Sequence, residues 1–255
     1  MRIGLGTNRL NDTPEQGAFL QAAVASGLRF IDTADAYTYG DSEKTLGKYL
    51  GSHREHITIA TKGGVVRGQP LNGSPQHLRK ALEQSLLRLQ TDCIDLYQLH
   101  WPDPEVPFAE SVGTLMEMQQ AGHIREVGLC NVSVAQIQEA QSLGVIATVQ
   151  NEYNLIERKH QDVLAYCEAA GLRFLPYAPL SLGERAAEVQ YMAQRYQASP
   201  AQVVLAWLLQ QSSVMLPIPG TLSLRHLQEN LAAEQLQLSA DDLAQLNAQP
   251  PLDPV

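Results

Sequence analysis

The chain has 255 residues, 44% of them hydrophobic, with a formal net charge of −9: enough apolar content for one sizeable core, and an acidic balance that argues against nucleic acid or an anionic membrane as main partner. Cys93, Cys130 and Cys167 lie too far apart for paired metal ligands, so no metal site is expected, and an odd count gives no disulfide framework. With no signal-peptide stretch and no apolar run long enough to span a membrane, a soluble cytoplasmic protein is expected.

Residues 3–7 read as a short first strand. Thr13-Pro14-Glu15-Gln16 starts a helix: Thr13 caps, proline takes the first helical position, and Gln16 is placed to close a capping box. That helix reaches Ser26 and stops at Gly27. A second strand, residues 28–32, ends on Asp32; small residues lead on to Tyr37, and after a turn at Gly40 the next helix opens at Asp41 or Ser42 and ends at Gly51. Residues 57–61 form a third strand. Ser74-Pro75 opens a helix with Leu78, Leu82, Leu86 and Leu89 near one face, and residues 93–99 form a fourth strand. A helix over 108–121 is ended by Gly122, and residues 124–129 form the fifth strand. Ser133 caps a helix that ends at Gly144, before a sixth strand over 145–149. Residues 159–170 are helical up to Gly171, and 172–175 form the seventh strand. Residues 184–196 and the stretch from Ser199-Pro200 onward are helical, and 214–218 form the eighth strand. A helix over 224–233 and a last one capped by Ser239 follow; Pro250, Pro251 and Pro254 leave the tail irregular.

Eight strands alternate with helices, and their ends fall roughly 20 to 42 residues apart, the spacing of βα units. Right-handed crossovers curl such a series into a closed (β/α)8 barrel of the TIM type, an α/β fold, here as a single domain over residues 1–255. No Gly-x-Gly-x-x-Gly turn follows the first strand, which weakens a doubly wound alternative. In a barrel the chemistry sits beyond the strands' C-terminal ends. There the sequence places Asp32 and Tyr37, then Lys62, His100-Trp101, Cys130-Asn131, Gln150-Asn151, Tyr177 and Pro219-Gly220-Thr221. One polar residue at a strand end is ordinary; six strands ending so on one rim are hard to explain by packing.

Those segments, "FIDTADAY", "IATKGG", "DLYQLHWPD", "LPYAPL" and "IPGTLSLRHLQENLAA", resemble the aldo-keto reductase family over nearly the whole chain. The resemblance implies a catalytic tetrad of Asp32, Tyr37, Lys62 and His100, with Trp101 as a wall of the substrate pocket beside Tyr37 and His100. It implies that Asn131 and Gln150 hold a nicotinamide carboxamide and that Tyr177 stacks on the nicotinamide face. Gly6, Thr7, Asp32, Pro179, Leu180, Ser181, Gly220, Thr221, Ser223, Arg225, Glu229 and Asn230 are the remaining implied cofactor contacts. NADP(H) is favoured because Arg225 is available for the 2′-phosphate; NAD(H) stays open. The implied partner is a small-molecule carbonyl, and the implied assembly a monomer or weak oligomer.

The chemistry is coherent. A free tyrosine has a pKa of about 10. An ammonium about 4 Å away is worth about 4 kcal/mol at an effective dielectric of about 20, so Lys62 is expected to lower the Tyr37 pKa by up to about 3 if Asp32 keeps the lysine charged. Tyr37 is then the general acid in reduction and the base in alcohol oxidation, with neutral His100 a second donor to the developing oxyanion. Departures from the family pattern are Cys130 where serine is common, and Gly220 and His226 where a lysine and an arginine are common. The short ends imply a curtailed leading hairpin and an open pocket, and the ending resembles small bacterial reductases, some acting on pyridoxal. Two other readings stand beside the reductase: a cofactor-binding regulator of the potassium-channel β-subunit type, and a lyase forming a Schiff base on Lys62, which Asp32 disfavours by keeping that lysine protonated.

Overall fold

The computed structural model describes residues 2–66 and 68–248, so the proline-rich tail lies outside the described residues. Seven parallel strands form one sheet in chain order: β1 (Leu5–Gly6), β2 (Phe30–Asp32), β3 (Thr58–Gly63), β4 (Ile94–Leu99), β5 (Ile124–Cys130), β6 (Ile146–Gln150) and β7 (Arg173–Phe174). Ten helices are described: α1 (Pro14–Ala25), α2 (Asp41–Leu50), α3 (Pro75–Leu89), α4 (Phe108–Gln120), α5 (Val134–Leu143), α6 (Gln161–Ala170), α7 (Ala186–Arg195), α8 (Pro200–Gln211), α9 (Leu224–Ala232) and α10 (Ala240–Asn247).

The eighth expected strand is present as a stave but not as a regular strand. Leu216 N–H donates to Phe174 O on one side, and the N–H groups of Gly4 and Gly6 donate to Pro217 O and Pro219 O on the other. Pro217 and Pro219 have no N–H to return, so the ladder is broken into isolated bridges while the ring still closes. The result is a (β/α)8 barrel.

Helix starts follow the capping chemistry of the sequence. Thr13, Ser74, Ser133, Ser199, Ser223 and Ser239 each accept from a backbone N–H in the first turn of α1, α3, α5, α8, α9 and α10. Gln16 does not close a box with Thr13; its Oε1 takes the Asn11 N–H at 2.6 Å, tying the helix to the preceding turn instead. Gly51 does not end a helix in the left-handed region (φ −51°) but continues into a 3-10 segment, Gly51–His56. Residues 159 and 160 precede α6, and 183–185 form a 3-10 turn before α7. No helix of the described residues is long and apolar enough to cross a membrane.

Period-two alternation along the strands builds the site. Phe30, Ala60, Leu96, Leu175, Leu216 and Ile218 form a small apolar cluster apart from the main core between sheet and helices. Two residues further along their strands stand Asp32, Lys62, Gln98 and Tyr177, which therefore share that face. Register sets Lys62 level with Gln98 and Cys130 with Gln150, while Asp32 pairs with Ala60, one step below Lys62. The apolar layer is the floor, and the polar layer stands on it at the C-terminal rim.

Close helix packing depends on Gly47 in α2, where an added Cβ would stand 2.3 Å from Arg88 O and 2.8 Å from Leu89 C. Backbone at that distance cannot yield as a side-chain tip would. Gly47→Ala is expected to cost about 2–3 kcal/mol, read as a lower urea midpoint at unchanged slope.

Candidate active site

The ends of β2 and β3 meet at one ammonium, and the end of β6 reaches it through Asp32. Lys62, at the end of β3, is fully buried, and its Nζ donates to Asp32 Oδ2 at 2.7 Å, Thr33 O at 2.7 Å and Tyr37 Oη at 3.3 Å. Burial alone would strip its proton, but the charge of Asp32, and after it that of Tyr37, outweighs burial and holds Lys62 above the ordinary lysine range. The other carboxylate oxygen, Asp32 Oδ1, accepts from Gln150 Nε2 at 2.7 Å. Asp32 therefore has both oxygens engaged, as a buried carboxylate requires.

The Tyr37 side chain meets His100 edge-on, with ring centroids 5.8 Å apart and planes at 79°. Burial first, then Lys62, pushes the His100 pKa down to about 3, so its imidazole is neutral across the physiological range. His100 Nδ1 is buried without a partner among the described residues. For Tyr37 the expectation of a lowered pKa is corrected. Burial is the largest influence and raises it; the ammonium of Lys62 opposes this but is itself largely answered by Asp32. Cys130 lies against the same charges, and burial pushes its thiol up, which leaves it inert as a nucleophile.

The rim above is held by strained backbone. Asn131, at φ 57°, gives its amide N–H to His100 O at 3.0 Å and accepts from Tyr177 Oη at 3.0 Å, linking the ends of β4, β5 and β7. Ala178, directly after Tyr177, is also left-handed at φ 49°. Burial and then Glu152 push the Tyr177 pKa up to about 12, so its phenol stays a donor.

These groups line a cavity of about 600 Å³. Of the residues expected from the sequence, it brings together Gly6, Thr7, Asp32, Tyr37, His100, Trp101, Asn131, Gln150, Tyr177, Pro179, Leu180, Ser181 and Gly220. A second cavity of about 670 Å³ adjoins it and gathers Thr221, Ser223, Glu229 and Asn230. Arg9, Leu180 and Gly220 line both. Gly6, in the lining, lets β1 lie close to the eighth stave, because a Cβ there would stand 2.7 Å from Ile218 O. Lys62 lies behind the wall rather than in it. Arg225 is not in the lining either: its guanidinium donates to Glu229 Oε1 at 2.9 Å and lies 2.9 Å from His226 Nε2.

Arg9 was not among the expected residues. It stands at the junction of the cavities, with Nη2 donating to Gly220 O at 3.2 Å. Its signal was available, since Thr7-Asn8-Arg9 follow the first strand on the same rim as every other expected residue.

Comparison with known proteins agrees with this geometry. The model of the "Aldo/keto reductase family" matches residues 2–249. An uncharacterised oxidoreductase of Schizosaccharomyces pombe is 39% identical over 96% of this chain and 85% of its own length. Pyridoxine 4-dehydrogenase of Escherichia coli is 36% identical over 89% of this chain and 84% of its own. A crystal structure of an aldo-keto reductase from Klebsiella pneumoniae in complex with NADPH superposes with a TM-score of 0.86 at 30% identity, covering 99% of this chain and 92% of that one. A family match across the described barrel, a buried lysine shared between a carboxylate and a phenol, and a long cleft on the same rim all lead to one assignment: the chain belongs to the aldo/keto reductase family of oxidoreductases.

Proposed function

We propose that this protein reduces an aldehyde or ketone to the alcohol with NADPH, with Tyr37 as the proton donor. The observation that carries the reading is the Lys62 ammonium, fully buried and shared between Asp32 Oδ2 and Tyr37 Oη. A lysine so placed is neither a solvated rim charge nor a free amine for Schiff-base chemistry.

The chain's residues fit an extended dinucleotide. The inner cavity offers the amides of Asn131 and Gln150 and the ring of Tyr177, and its floor at Gly6 is bare backbone. The outer cavity ends at Ser223, where the first backbone N–H groups of α9 favour an anion. The NADPH complex of the Klebsiella relative supports NADP(H) as the cofactor, and the likeness to pyridoxine 4-dehydrogenase supports pyridoxal-like aldehydes among the substrates. When bound, the reduced cofactor supplies a hydride.

The rest of the chemistry falls to the protein. Tyr37 carries its proton throughout neutral pH, since burial raises its pKa, and so stands ready as the acid. As negative charge develops on the carbonyl oxygen, the proton moves from Tyr37 Oη, and the phenolate that forms is met by Lys62 Nζ. Neutral His100 gives the same oxygen a second N–H donor without competing for the proton. Asp32 and Gln150 keep the ammonium aimed, and Trp101 walls the open side.

Fluorescence titration with NADPH and NADH, followed by a carbonyl panel that includes pyridoxal, tests the reading. Tight binding with carbonyl-dependent oxidation supports it; no binding of either dinucleotide defeats it. In the same titration, Arg9→Ala is expected to weaken NADPH and NADH alike, about tenfold each, because Arg9 stands between the cavities where the diphosphate common to both would lie. Arg225→Ala is expected to weaken NADPH about tenfold and NADH little, because only NADPH carries the 2′-phosphate. Equal loss for both in the second variant would move that contact elsewhere.

A further inference from the structure

The loop that carries Trp101 is tied down on both sides of it, and the second tie has no part in the chemistry above. On the near side, His100 N–H donates to Gly63 O at 2.9 Å, and His100 O accepts from Asn131 Nδ2 at 3.0 Å. On the far side stands Asp103, buried at 8% exposure. Its Oδ2 accepts the Gly73 N–H at 2.8 Å, and its Oδ1 accepts the Glu105 N–H at 2.9 Å. Both oxygens of a buried carboxylate are thus spent on backbone N–H groups. Such charge-assisted bonds are directional and about twice as strong as neutral ones.

The backbone at Gly73 is shaped to be met. Its carbonyl accepts from Ser111 Oγ, in the first turn of α4, at 2.8 Å. A Cβ at Gly73 would stand 2.8 Å from that Ser111 Oγ and 3.0 Å from Asp103 Cβ, so the approach needs glycine. One residue back, Asn72 N–H donates to Gly64 O at 3.0 Å and closes the β3–α3 loop onto the strand that carries Lys62. Asp103 therefore fastens the loop after β4 to the loop after β3. Between His100 and Asp103 lie only Trp101 and Pro102. Proline fixes its own φ and keeps the residue before it extended, so little freedom is left to the Trp101 backbone once both flanks are held.

We propose that Asp103 is a positioning residue for substrate selection: through its hold on Gly73 and Glu105 it fixes Trp101 as a wall against which aromatic carbonyls pack. The Trp101 ring lines the inner cavity beside Tyr37 and His100 and is 45% exposed. A ring so open is placed by its backbone more than by its packing. An aromatic aldehyde gains contact with that wall, whereas a small aliphatic aldehyde is too short to use it.

The selectivity half of the proposal rests on the reductase reading; the placement of Trp101 does not. Placement is read by acrylamide quenching of tryptophan fluorescence. The chain has two tryptophans, and Trp207 is fully buried, so the quenched signal comes from Trp101. Asp103→Ala is expected to raise the quenching constant about twofold. In kinetics with NADPH, the same variant is expected to lose about tenfold in kcat/KM for benzaldehyde, mostly through KM, and to stay within about twofold of wild type for propanal. A quenching constant unchanged from wild type, or an equal loss for both aldehydes, would overturn the proposal, the second because a merely structural role lowers both together. Should Asp103→Ala fail to fold, Asp103→Asn, which keeps the shape and gives up one acceptor, is measured in its place. Failure of both to fold would overturn the proposal as well, since Asp103 would then hold the barrel rather than the wall. If wild type reduces neither aldehyde nor any other carbonyl, the reductase reading falls, while quenching still decides whether Asp103 holds Trp101.

Discussion

Tyr37→Phe is expected to lower kcat for carbonyl reduction about a thousandfold while leaving dinucleotide affinity within about threefold of wild type. The substitution removes only the hydroxyl. The ring keeps its edge contact with His100, and Lys62 keeps Asp32 Oδ2 and Thr33 O as acceptors, so no buried ammonium is stranded. The groups proposed to hold the nicotinamide, Asn131, Gln150 and Tyr177, do not touch the phenol oxygen through any hydrogen bond among the described residues. Steady-state kinetics beside fluorescence titration check this. Turnover comparable to wild type would remove Tyr37 from the acid role. The direction of the Tyr37 pKa adds a companion expectation: alcohol oxidation needs the phenolate as base, and so it should rise with pH into the alkaline range.

Lys62→Met carries the largest expected cost in stability, about 3–5 kcal/mol, because it leaves the carboxylate of Asp32 buried without its cation. Gln150 still donates to Oδ1, but a neutral amide cannot replace a charge. Activity falls with stability, since the phenolate formed at Tyr37 loses the ammonium 3.3 Å away. Stability and catalysis can be separated by a second substitution. The double variant Lys62→Met, Asp32→Asn removes the stranded charge, and it is expected to recover part of the lost stability and none of the activity. Chemical denaturation and kcat measured on the single and double variants check both halves. A double variant no more stable than Lys62→Met would show that the buried pair is not what the fold depends on. The sign with pH is also defined. Lys62 is held protonated in the fold, so its contribution is complete below the ordinary lysine pKa of about 10.4 and is lost only above it.

The layout of the site was legible in the sequence because a barrel converts sequence position into spatial position. Asp32, Lys62, His100, Asn131, Gln150 and Tyr177 each follow an apolar stretch, and the parallel sheet brings the ends of those stretches to one rim. The caps at Ser74, Ser133 and Ser199 were equally plain, since the hydroxyl and the N–H it accepts lie three residues apart. What the sequence hid were balances and long-range pairings. The eighth stave looked regular until Pro217 and Pro219 left it too few N–H donors for a ladder. The contact from Gln150 to Asp32 joins residues 118 positions apart, and no local pattern announces it. The direction of the Tyr37 pKa was misread because a Coulomb estimate from Lys62 alone omits both the burial of the phenol and the answering charge of Asp32. Arg225 also pairs with Glu229 one turn on, an exposed contact that a phosphate would share or displace.

On the proposed reading, this rim passes a hydride and a proton to a carbonyl. Carbonyl-dependent oxidation of NADPH by the purified wild-type protein, followed with pyridoxal and an aromatic aldehyde, tests it most directly. The expected result is oxidation that depends on the carbonyl, with the alcohol formed in step with NADPH consumed. NADPH bound tightly but never consumed across a broad set of aldehydes and ketones would contradict it, and would leave the buried Asp32–Lys62–Tyr37 cluster serving a cofactor sensor rather than a reductase.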